Sequence, residues 1–198
     1  MPSIPPAKTE SLLLSYIVLV PHIQIPDPSI LRSKMSSSPA DDEHLKAIFD
    51  RFQIPDGCAY ASSEPYGGGH INDTFRVRTV ATDGAAARDY ILQRINRAVF
   101  PRPAEVMENV ARVTRHVAAK VRARGGDPSR EVLTLLPARD GRDYVISDED
   151  YWRVYLFVND TITVSIGDDW SPSGPAALHP VREAAAAFAR FQRDVADL

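Results

Sequence analysis

Apolar positions change their spacing several times along the chain, and each change marks an element. Leu45, Ile48, Phe49 and Phe52 fall at i, i+3, i+4 and i+7, the repeat of one buried helix face. Ser38 is a candidate cap, Asp41, Asp42 and Glu43 are first-turn acids, and Pro55 and Gly57 close the run. Alternation then takes over at 59–66 and 74–80, and "DYILQRIN" at 89–96 adds β-branched and aromatic residues to it. These runs predict three strands, with Asp83-Gly84 as the turn before the third. After "FPRP" the helical spacing returns as Val106, Val110, Val113, Val117 and Val121, until Gly125-Gly126 stops it. "EVLTLLP" at 131–137 and "YWRVYLFV" at 151–158 predict two more strands, separated by a turn at Asp140-Gly141. An alanine-rich helix over 180–198 carries Phe188, Phe191, Val195 and Leu198 on one face.

The first forty residues follow none of these repeats. They hold seven of the 16 prolines, together with "SSS" at 36–38, so disorder is the expectation. Their apolar stretch at 12–20 is about half the length of a membrane helix. It could serve as a signal-peptide core behind Lys8, although no small-x-small cleavage site follows, or the leader could be an extension upstream of a true start at Met35. The expected layout is a leader over 1–40, a domain over 41–160, and a hinge with one helix over 161–198.

Composition narrows the partners. A net charge of −3 with 25% charged residues gives no basic excess for nucleic acid, and no membrane span is expected. Cys58 is the single cysteine, so there is no intrachain disulfide; a reducing, cytoplasmic setting fits.

The segment "EPYGGGHINDTFRV" at 64–77 sets three glycines between the first two strands. Such a cluster serves either as a plain hairpin turn or as a loop whose backbone N–H groups approach a phosphate chain. No helix follows it, which excludes the Rossmann and Walker readings. The element order, with a glycine hairpin, a third strand, one main helix and two further strands, is that of an α+β, protein-kinase-like N-terminal lobe: a five-stranded antiparallel sheet, here followed by the first helix of a C-terminal lobe.

Five blocks carry a family resemblance as well. "YGGGHINDTFRV", "YILQRIN", "VFPRPAEVMENVARVT", "YWRVYLFV" and "AAAAFARFQRDV", in this order from about residue 42 onward, resemble the N-acetylhexosamine 1-kinases of the aminoglycoside phosphotransferase and choline kinase-like superfamily. The resemblance implies ATP-dependent phosphorylation of the anomeric hydroxyl of a small N-acetylated sugar, with ATP and magnesium as cofactors. It implies a phosphate-covering loop at Gly67, Gly68, Gly69, His70, Asn72 and Thr74, with His70 structural. If "YILQ" stands where protein kinases have "VAIK", Gln93 replaces the phosphate-contacting lysine; a one-residue shift would put Arg94 there instead. The lysine-to-glutamate ion pair of those enzymes is then in doubt, because Glu108 falls opposite the valine stripe. Phe157, Val158 and Asn159 match the hinge that offers backbone groups to adenine, while Trp152 and Tyr155 read as packing anchors.

Phosphoryl transfer needs a catalytic-loop aspartate and magnesium-holding side chains. No histidine here is followed by the family's x-Asp, and "SDED" at 147–150 and "GDDW" at 167–170 read as turns. No catalytic or metal-binding residue is therefore assigned to this chain. The expectation is an inactive N-terminal piece of a sugar kinase, whose magnesium ligands and acceptor pocket belong to a further lobe, or alternatively a non-catalytic nucleotide-binding or interaction module.

Overall fold

The structure, a computed structural model, describes residues 42–67, 71–82, 86–161 and 179–198. The expectations placed on 1–40, Ser38, Asp41, Gly68, Gly69, His70, Asp83, Gly84 and 167–170 lie outside the described residues.

Helix α1 (Asp42–Phe49) is followed by strands β1 (Cys58–Pro65), β2 (Asp73–Ala81) and β3 (Asp89–Ile95). Helix α2 (Pro103–Ala123) and the single turn α3 (Pro128–Glu131) come next, then β4 (Leu135–Leu136), β5 (Val145–Ser147), β6 (Asp150–Leu156) and helix α4 (His179–Asp194). The strands form one antiparallel six-stranded sheet in the order β1-β2-β3-β6-β4, with β5 also paired to β6. The fold is α+β.

Alternation along the central strands gives the sheet two different faces. Val77, Tyr90, Leu92, Trp152 and Val154 share the first face and form one core with Leu45, Ile48 and Phe49 of α1 and with Phe52. That core contains the whole stripe expected from the sequence, and Phe49 packs on the Tyr90 ring with centroids 5.6 Å apart. Asp42 ties α1 to the sheet edge: its carboxylate accepts from Tyr60 Oη at 2.5 Å and from Ser63 Oγ at 2.7 Å.

Helix α2 belongs to the second face. Pro103 stands at its start, where the missing N–H costs nothing, and its C-terminus turns through Gly125 at φ +76°. Val117 and Val121 pack with Val132, and Phe191 and Val195 of the C-terminal segment close that cluster. Phe188 and Leu198, expected on the same buried face, are instead 53% and 48% exposed.

Two expectations are corrected. Residues 131–137 do not form a full strand. Asp127 caps a helical turn by accepting from Ser129 N at 2.9 Å, Val132 is buried against α2, and only Leu135–Leu136 joins the sheet. The described sheet also has six strands where five were expected, because Val145–Ser147 forms a hairpin with β6. The tight turn of that hairpin is "SDED", with Asp148 at φ 48° and Glu149 at φ 67°.

Candidate functional site

The glycine turn closes the β1–β2 hairpin, whose last backbone bond runs from Tyr66 N to Thr74 O at 2.9 Å. Gly67 has φ +76°, and a Cβ there would meet nothing within 4 Å, so backbone conformation and not space favours glycine. From this turn a polar row crosses the second face of the sheet, because Thr74 stands opposite Gln93 and Gln93 opposite Arg153 in the strand registers.

Gln93, only 9% exposed, joins the row together. Its Oε1 accepts from Arg153 Nε at 3.0 Å and from Arg153 Nη2 at 2.6 Å. Arginine can only donate, which fixes the amide orientation and turns Nε2 toward Thr74 Oγ1 at 2.8 Å. Thr74 Oγ1 in turn points to Asn72 O at 3.4 Å.

Arg94 lies on the first face, where strand alternation sends it. Its Nε donates to Asp73 Oδ2 at 2.7 Å and its Nη1 to Asp150 Oδ2 at 3.0 Å, and it sits over the Trp152 ring. The residue that faces α2 from β3 is therefore Gln93, and Arg94 is held by two carboxylates.

Arg153 escaped the sequence reading, although a charged residue inside the apolar run "YWRVYLFV" was the available signal. It is part-buried, its Nη1 lies 3.9 Å from Met107 Sδ of α2, and its guanidinium is 5.8 Å from the Tyr155 ring centroid. Withdrawal from water holds the guanidinium below the usual arginine range, and burial raises the Tyr155 phenol in the opposite sense. Glu108 is exposed and takes no part, as its place opposite the valine stripe required. Trp152 is the packing anchor expected, at 2% exposure, whereas Tyr155 shares the second face with Arg153.

Phe157, Val158 and Asn159, expected from the resemblance as a hinge, follow the end of β6. The Phe157 ring is held between Tyr66, edge-on with centroids 5.3 Å apart, and the Arg76 guanidinium at 4.2 Å, which itself donates through Nε to Asp89 Oδ2 at 2.8 Å. Phe157 N donates to Asp89 O at 3.0 Å, Val158 O accepts from Thr161 Oγ1 at 3.2 Å, and Asn159 O accepts from Arg130 Nη1 at 3.3 Å. Asn72 has a structural duty, since its Oδ1 accepts from Asn96 N at 3.0 Å and so joins the end of β3 to the glycine hairpin.

Thr74 and Gln93 thus meet along one row that begins beside the turn at Gly67, with Arg94 on the reverse side. Among the described residues no three His, Cys, Asp or Glu side chains gather as a metal would require, and no helix is long and apolar enough to cross a membrane. No family model matches the chain.

Proposed function

We propose that the chain is the nucleotide-binding lobe of an ATP-dependent phosphotransferase, resembling the N-acetylhexosamine 1-kinases of the aminoglycoside phosphotransferase and choline kinase-like superfamily. The observation that carries this reading is the polar row Thr74–Gln93–Arg153, which starts at the glycine turn and runs across the sheet face opposite α1. The topology supports it too: a glycine hairpin, a third strand next to it, a long helix, and a returning strand beside the third.

In this reading the turn at Gly67 lies over the phosphates, where positive φ lets backbone N–H groups face an anion. Tyr66 and Phe157 flank the base with aromatic surface, and the row below holds donors toward phosphoryl oxygens. The reaction would transfer the γ-phosphoryl group to the anomeric hydroxyl of an N-acetylated hexosamine. In this reading the contribution of this chain is to bind and orient the nucleotide.

Calorimetric titration of the purified chain with ATP and with adenosine, both with magnesium present, tests the reading. ATP is expected to bind at least about tenfold more tightly, since most of the recognition is directed at phosphates. Equal affinity, or no binding of either, would contradict it. A non-catalytic interaction module is the second reading, favoured by Val181, Phe188 and Leu198, which leave apolar surface exposed along the C-terminal segment.

A further inference from the structure

Two arginines on the adjacent strands β3 and β6 are treated in opposite ways. Arg94 is held by Asp73 and Asp150, whereas burial disfavours the charged form of Arg153. Among the described residues no carboxylate stands within ion-pair distance of Arg153. A guanidinium has five N–H groups. On Arg153 one from Nε and one from Nη2 converge on Gln93 Oε1, and one from Nη1 is directed at Met107 Sδ. The two that remain, one on Nη1 and one on Nη2, have no hydrogen-bond partner among the described residues and can be offered to an anion.

A cation taken out of water without a counter-charge is strongly unfavourable, and replacing it with a well-packed apolar side chain is often neutral or stabilising. Gln93 does not solve this problem. A neutral amide orients the guanidinium and cancels no charge. The cavity beside Arg153, walled by Val110, Val113, Val117, Val132 and Phe191, does not solve it either, being apolar and about 20 Å³ in volume, room for about one water. Neither neighbour supplies the missing counter-charge.

We infer that Arg153, held in position by Gln93, is the residue that contacts the phosphoryl oxygens of the bound nucleotide, so that the cation missing from β3 is supplied by its neighbour β6. The inference rests on the nucleotide-binding reading above and adds the residue and the strand from which the charge comes. Gln93 is then a positioning residue, and Thr74 a hydroxyl that fixes its amide.

The test uses the purified chain, titrated calorimetrically with ATP, adenosine and inorganic tripolyphosphate, as wild type and as Arg153→Met, Arg153→Lys and the surface control Arg112→Ala. Arg153→Met is expected to weaken ATP and tripolyphosphate at least tenfold with adenosine unchanged, and Arg112→Ala to change none of them. Arg153→Lys should recover part of the loss, because it restores the charge without the fork; should the methionine variant fail to fold, a loss of more than threefold for Arg153→Lys is the supporting result. Wild-type ATP affinity retained within twofold in the variants that fold would overturn the inference and leave the nucleotide reading standing. Arg153-dependent binding of tripolyphosphate with ATP bound no better would support the phosphoryl contact and remove the nucleotide reading. Binding of neither ATP nor tripolyphosphate by the wild type would overturn both.

Discussion

Among the described residues Tyr90 Oη and Trp152 Nε1, buried in the first core, have no hydrogen-bond partner, a cost the fold carries beneath α1. Tyr90→Phe removes one of these groups without changing the packed ring, so it is expected to leave stability unchanged or raise it by up to about 1 kcal/mol. Urea unfolding measures this, and a loss of more than about 1 kcal/mol would mean that the hydroxyl has a partner in solution. Gly67→Ala is the converse case. Space is open at that Cβ, so the expected loss of about 1 kcal/mol comes from φ +76° alone. An unchanged unfolding midpoint would show that the turn adopts another conformation. At this scale alternation put Gln93 and Arg94 on opposite faces of the strand, and which of them faces α2 stayed open until the strand registers were known. Arg153 was overlooked because a lone charge in an apolar strand shows its burial only once the register opposite Gln93 and the position of Met107 are known.

At the scale of elements, α4 is attached to α2 by charges as well as by Phe191. Asp197 accepts from Lys120 Nζ at 2.5 Å and from His116 Nε2 at 3.0 Å, and these bonds, with that of Lys120 the stronger, hold its carboxyl below the usual aspartate range. A carboxylate with a depressed folded pKa stabilises the folded state above its unfolded pKa, and that contribution is lost as pH falls through the folded value. Protection factors for amide hydrogen exchange in 190–198, taken against the intrinsic rate at each pH, should therefore fall selectively as the pH drops below the ordinary aspartate range, and Asp197→Asn should remove the selectivity. Acid-independent protection there would contradict the tie. The valine stripe of α2 and the Leu45 stripe of α1 were legible because successive turns repeat the same spacing. The segment at 131–137 was not, since its β-prone residues conceal a capped helical turn that sends Val132 to α2. Strand β5, three residues long, is too short to show alternation.

For the whole molecule, the central point is that one sheet carries two faces with different duties. The first is closed by α1 and accounts for stability, and Leu92→Ala in its middle is expected to cost about 2–4 kcal/mol by urea unfolding. A loss below about 1 kcal/mol would place the core elsewhere. The second face carries a cation, an amide and a hydroxyl in one line from the glycine turn, and the proposed nucleotide site is built on it. Hydrogen–deuterium exchange of the chain with and without magnesium ATP, with adenosine as control, tests this most directly. The account predicts ATP-specific protection in peptides covering 66–76, 90–95 and 151–158, with 42–52 unchanged. Protection confined to 42–52, or an identical footprint for adenosine, would contradict it.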